Sequence, residues 1–224
     1  VKEVATFLVS QEGATVRRLT LSGNEITDGG KDMSGLTALC EILPTLKHPI
    51  SLELANCGLG VAEVNELASA IQAGAALNSV TLDSTGVMKD EYGFTGQGTQ
   101  KTYTLTVGEE NIDLSQKNLG LADVALVATW MQRPEVMAAV TSMNCLHNPL
   151  GDGLQIIIKV FEETPRLRTL CGLEEGVEKI DWSNSGKGPV EVALLTADLK
   201  AGRAGAAVNE AVSYTHLTLP TKSS

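Results

Sequence analysis

Aromatic side chains make up only 4% of this 224-residue chain. A core built around large rings is therefore excluded, and burial must rest on Leu, Val, Ile and Ala. Basic residues are also short: 17 Lys and Arg stand against 27 Asp and Glu, for a net charge of −10. That balance excludes general binding to nucleic acid or to an anionic membrane, both of which need basic patches. The cysteines Cys40, Cys57, Cys145 and Cys171 form no CxxC pair, so a structural zinc site is not expected. No apolar run reaches the length of a membrane span, and no signal-peptide pattern opens the chain. Histidine is nearly absent. His48 and His147 each lie near a proline in a linking position, and no Ser/His/Asp order or metal-spaced pair emerges. No enzyme activity, metal or cofactor is expected.

What is present is repetition. The stretch Val16-Arg17-Arg18-Leu19-Thr20-Leu21-Ser22-Gly23-Asn24-Glu25-Ile26 has the pattern LxxLxLxxN/CxL. It returns from Pro49 to Leu59, with Leu52 and Leu54 as the apolar pair and Cys57 at the N/C position. Further copies run from Leu77 to Val87 (Val80, Leu82, Thr85), Glu109 to Leu119 (Ile112, Leu114, Lys117) and Val140 to Leu150 (Met143, Cys145, Asn148). Degenerate copies follow around Leu167–Leu170 and Val177–Ser183. Counting from Leu19 through Leu52, Val80, Ile112 and Met143, the intervals are 33, 28, 32 and 31 residues. A coarser repeat overlies these: Asn111-Ile112-Asp113-Leu114-Ser115 with Gly120 recurs as Lys179-Ile180-Asp181-Trp182-Ser183 with Gly188, at an offset of 68 residues.

Each unit reads as a short half-buried strand, whose apolar pair alternates with outward polar residues, followed by a helix. Asn24 and Cys57 stand at the bend after the strand, where a side chain can satisfy backbone groups that no ladder reaches. Helical stripes follow: Met33, Leu36, Leu39, Cys40, Leu43 and Leu46; then Val61, Val64, Leu67, Ala68 and Ile71; then Leu121, Val124, Leu126, Val127 and Met131. Val1, Val4, Ala5, Leu8 and Val9 look like the helix of a preceding unit, as if the chain were part of a longer protein. Trp130 falls on a helix stripe and Trp182 on an inward strand position, both as packing residues. One unit cannot bury its strand and its helix face alone, so stacking must supply the missing surface.

These units resemble leucine-rich repeats, and their length resembles the ribonuclease-inhibitor-like class, since plant-type repeats are shorter. The resemblance covers residues 1–211; it is strong in the first two units and near Asn111–Leu119, and weaker after Leu167. It implies an α/β solenoid: a right-handed arc with parallel strands on the concave face and helices on the convex face. It also implies a non-enzymatic scaffold that binds a protein partner. Members of the class also activate small GTPases or form the sensing repeats of larger nucleotide-binding receptors, and these are the alternative functions. Cys57 and Cys145 are expected as buried thiols, which fits a cytoplasmic setting.

Two segments depart from the pattern. Residues 88–102 interrupt the third unit and read as an inserted loop, followed by the alternating Tyr103-Thr104-Leu105-Thr106-Val107. Tyr92, Phe94 and Tyr103 gather aromatic surface there, an anchor if exposed and otherwise rings tucked against the neighbouring unit. The glycines Gly93, Gly96 and Gly98, and the pair Gly186 and Gly188, lack phosphate-loop spacing and read as turn residues. Residues 212–224, beginning Val212-Ser213-Tyr214-Thr215-His216-Leu217, match a translated sequencing-library adapter and are expected to form a disordered tail outside the fold.

The expected binding surface is the set of outward strand residues: Arg18, Thr20 and Ser22, then Ser51 and Glu53, Ser79, Thr81 and Asp83, Asn111, Asp113 and Ser115, Ser142 and Asn144, and Lys179, Asp181 and Ser183. Within it, Glu53, Asp83, Asp113 and Asp181 would form a ladder of carboxylates for a protein partner, with Tyr92 and Phe94 of the insertion as a second contact. The plainer reading is that these polar groups only keep the inner surface hydrated.

Overall fold

The computed structural model describes residues 1–89, 95–96, 100–183, 185–203 and 210–212. Strands and helices alternate: α1 (Lys2–Leu8), β1 (Arg18–Thr20), α2 (Ser34–Ile42), β2 (Ile50–Glu53), α3 (Val61–Gln72) and β3 (Leu77–Asp83). The insertion contributes β4 (Met88–Lys89), β5 (Thr95–Gly96) and β6 (Thr102–Thr106). Then come β7 (Asn111–Asp113), α4 (Leu121–Met131), α5 (Pro134–Ala139), β8 (Ser142–Asn144), α6 (Gly153–Glu163), β9 (Lys179–Asp181), α7 (Pro189–Ala201) and β10 (Glu210–Val212).

The apolar pairs explain the strands. Leu52, Leu54, Val80, Leu82, Leu114, Met143 and Cys145 are fully enclosed, and Ile112 nearly so. Leu19 and Leu21 are only half-buried, because β1 is an edge strand with β2 on one side alone. The bend residues act as expected. The Asn24 amide donates to the Leu21 carbonyl at 2.8 Å, and the Cys57 thiol donates to the same carbonyl at 3.1 Å. The Asn148 amide donates to the carbonyls of Leu114 and Cys145 while its oxygen accepts the Leu119 N–H. In the fourth unit Asn118 takes this task from Lys117 and donates to the Gly86 carbonyl at 2.7 Å.

The helices form one continuous layer, each packed on the next from α1 through α2, α3, α4 and α6 to α7. Leu36, Leu39, Leu43, Val64, Leu67, Val124, Leu126, Val127 and Trp130 lie at its centre. Val61 and Leu121 depart from the expected stripes and stay more than half exposed. Each is the first residue of its helix. A helical side chain covers the turn before its own Cα, and there is no such turn here.

The strand layer is less regular than expected. β1, β2 and β3 are parallel, with Leu19 beside Leu52 and Leu52 beside Val80. β6 then joins β3 antiparallel, with Val80 beside Leu105 and Thr81 beside Thr104. Parallel pairing resumes only at β7–β8 and β9–β10, and Thr169 and Cys171 bridge to β8. The reversal follows from connectivity: the described residues between β3 and β6 include no crossover helix, and the returning strand pairs in the opposite direction. The exit of β3 also presses on the loop before α4. A Cβ on Gly86 would stand 2.0 Å from the Asn118 carbonyl oxygen, so only glycine fits there. At the far end β10 pairs with β9 through Val212. The expected edge of the tail therefore falls inside a strand, and residues 213–224 lie outside the described residues.

Candidate functional site

The outward residues stand in rows set by strand register. Arg18, Ser51 and Ser79 form one row across β1–β3; Thr20, Glu53 and Thr81 form the next, extended by Thr104 of β6. In the second parallel group Asn111 stands beside Ser142 and Asp113 beside Asn144. Glu53 is held by its neighbours, accepting from the Arg18 guanidinium and the Thr20 hydroxyl, each at 2.9 Å. The Arg18 side chain is 70% exposed, so this ion pair adds little stability and mainly orients the carboxylate. Thr81 shares a hydrogen bond with Thr104 at 2.9 Å, and the Ser22 hydroxyl accepts the Ala55 N–H at 3.1 Å.

Asp113 and Asp181 are exposed, and each accepts the N–H two residues on, from Ser115 and Ser183, at 2.9 and 3.0 Å. The Ser183 hydroxyl, 2.6 Å away, and its N–H hold the Asp181 carboxyl below its ordinary range. Asn144 is half-buried and accepts from the Leu146 N–H. Asp83 is the exception in the expected ladder. It is 4% exposed, accepting from the Thr102 hydroxyl at 2.6 Å and the Asn56 N–H at 2.5 Å. The insertion strand that reverses the sheet also covers this carboxylate, so it does not face a partner. Tyr103, on that same strand, is 2% exposed, so it is a tucked ring and not an exposed anchor. Tyr92 and Phe94 lie outside the described residues.

A second set of carboxylates went unread in the sequence. Glu63, Asp123 and Glu191 occupy the third positions of α3, α4 and α7, and all are buried. Each accepts the N–H of the glycine that opens its helix: Gly60 at 3.1 Å, Gly120 at 2.8 Å and Gly188 at 2.8 Å. Each also reaches an earlier unit. Glu63 accepts from the Thr27 hydroxyl at 3.2 Å, and Glu191 from the His147 N–H at 3.2 Å. Asp123 accepts both the N–H and the hydroxyl of Thr85 at 2.8 Å, and the Tyr103 hydroxyl at 2.9 Å. These groups staple one unit to another, and the glycine three residues before each acid was their sequence signal. Burial, and then the Asp123 charge, push the Tyr103 phenol well above its ordinary pKa.

Asp198 of α7 is enclosed as well. It accepts from the Thr169 hydroxyl at 2.6 Å and the Leu170 N–H at 2.7 Å. Burial raises its carboxyl against the pull of those bonds. All four cysteines are buried thiols. Burial, and then neighbouring carboxylates, push Cys40 and Cys145 up to about 12, which leaves them protonated and inert at neutral pH. Trp130 is enclosed beneath the Arg133 guanidinium, 4.3 Å from the ring centre; Trp182 is half-buried.

Among the described residues no group of three or more His, Cys, Asp or Glu is placed to hold a metal ion, and no helix is long and apolar enough to cross a membrane. No protein-family model matches the chain. No curated protein matches it in sequence. Among solved structures it is similar to a tropomodulin C-terminal domain from Caenorhabditis elegans, with 11% identity over 89% of this chain and 92% of that one and a TM-score of 0.42. A likeness at that level carries no further weight.

Proposed function

We propose that this chain is a leucine-rich repeat domain of the ribonuclease-inhibitor-like class, and that its outward strand face binds a protein partner. The observation that carries the reading is the register. Parallel pairing sets polar side chains of successive units side by side, Thr20 with Glu53 and Thr81, and Asp113 with Asn144. Such rows present short, well-anchored hydrogen-bonding groups that need little further ordering when a partner docks. Glu53, Asp113 and Asp181 supply negative charge on this face, so the partner surface they fit is basic. Asp83 is left out of the contact set because its carboxylate is used within the fold.

The test is a triple variant, Glu53→Ala with Asp113→Ala and Asp181→Ala. It should melt within a few degrees of the parent and lose a partner that the parent retains, with the loss reproduced in the parent at high salt. Undiminished retention of that partner by the folded triple variant would sink the reading.

A further inference from the structure

Among the described residues five cations of this acidic chain pair with carboxylates: Arg18 with Glu53, Lys31 with Asp28, Arg133 with Glu135, Lys159 with Glu163 and Arg168 with Glu175. Lys101 and Lys187, like several other cations, have no carboxylate partner among the described residues. Both stand on the edge where strands give way to helices. Lys101 precedes β6, whose first residue pairs with the last residue of β3. Its backbone is fixed there by Ser84, whose N–H donates to the Lys101 carbonyl at 2.9 Å. Lys187 precedes Gly188, the N-cap of α7.

An open cavity of about 400 Å³ joins these loops, lined by Lys101, Gln116, Asn118 and His147. Lys187 reaches its rim, with Nζ 2.5 Å from His147 Nε2 and 5.4 Å from the centre of the Trp182 ring. The ammonium therefore donates to an imidazole and rests on an aromatic face, and neither contact cancels its charge. Gln116, Asn118 and His147 all adopt left-handed backbone, with φ of 58°, 56° and 59°, a conformation uncommon outside glycine. Glu191 bonds the backbone beside this cleft, and its oxygens already accept the N–H groups of His147 and Gly188.

The ammonium groups of Lys101 and Lys187, the Gln116 amide, and the Asn118 and His147 side chains, each of which already holds one bond, thus border this cleft from separate loops. A carboxylate has two oxygens to share among them; a phosphate offers three or more, with greater charge. We propose that this cleft is a phosphate-binding site, filled by a free phosphate ion or by a phosphorylated side chain of a partner. It stands apart from the strand face and does not depend on that face binding anything.

The test follows the imidazole signals of His147 and His48 by NMR in the full chain, at constant ionic strength, during titration with inorganic phosphate and separately with a phosphoserine peptide. His147 should shift saturably while His48 stays fixed. Lys101→Gln with Lys187→Gln should weaken binding at least tenfold, and Lys159→Gln should leave it unchanged. Tighter binding of the peptide assigns the site to a phosphorylated partner, and equal affinities assign it to the free ion; both support the site. Equal, non-saturating shifts of the two histidines, or parental affinity in a folded double variant, would overturn it.

Discussion

Asp113 and Asp123 belong to the same strand–helix unit, yet one faces solvent from β7 and the other is enclosed at the start of α4. The strand face carries Glu53, Asp113 and Asp181 as accessible groups. The edge between strands and helices carries Glu63, Asp123 and Glu191 as internal ties. The acids on the face are anchored by one or two bonds and keep lone pairs for a partner. Those at the edge are consumed by backbone and hydroxyl donors that would otherwise be buried unpaired. Residues of one type thus divide between recognition and cohesion, and position within the unit decides which.

Substitutions should separate the two sets. The largest effect is expected at Asp123→Ala, which leaves the donors of Thr85, Gly120 and Tyr103 unpaired; the loss should be on the order of 3 kcal/mol or more, read by urea unfolding. Parental stability in that variant would dissolve the distinction. Arg203→Ala should cost about 1–3 kcal/mol, because its guanidinium accepts no substitute in bonding the carbonyls of Phe161, Thr164 and Leu167 at 2.8, 3.0 and 3.0 Å. On the face, Asp113→Ala and Asp181→Ala should each change stability by no more than about 0.5 kcal/mol.

The titrating groups sharpen the contrast further. The carboxyl of Asp198 is raised in the folded state. Its contribution to stability is therefore greatest below the ordinary carboxylate pKa and is lost as pH rises through the raised value. Chemical unfolding followed upward from about pH 4 should show that fall, and Asp198→Asn should flatten it. Tyr103 behaves alike at the alkaline end, because its phenol is raised too. Stability should fall as pH climbs from about 10, and the phenolate absorbance of Tyr103 should appear only as the chain unfolds. The smallest change is expected of the thiols: a thiol reagent at neutral pH should leave all four cysteines unmodified until denaturant is added.

Much of the fold was legible in the sequence because apolar spacing reports burial directly. Most of the LxL pairs and helical stripes, and the bend residues Asn24, Cys57 and Asn148, sit where their spacing placed them. Val61 and Leu121 were misplaced because spacing carries no information about where a helix begins. The candidate site was legible in part. Alternation assigned Arg18, Thr20, Glu53, Asp113 and Asp181 to the outward side, but alternation cannot tell solvent from a covering strand, and so it missed the enclosure of Asp83. The staples at Glu63, Asp123 and Glu191 were overlooked because a charged residue one turn into a helix reads as solvated.

The primary structure by itself settled the recurrence of a strand and a helix in each unit, and which side of each strand is apolar, since both follow from local periodicity. Only the tertiary structure decided that the strand layer reverses at β6 while the helix layer runs on, and which carboxylates are free. Those outcomes depend on contacts between residues far apart in the chain, such as Asp83 with Thr102 and Thr85 with Asp123. No pattern within a single unit encodes them.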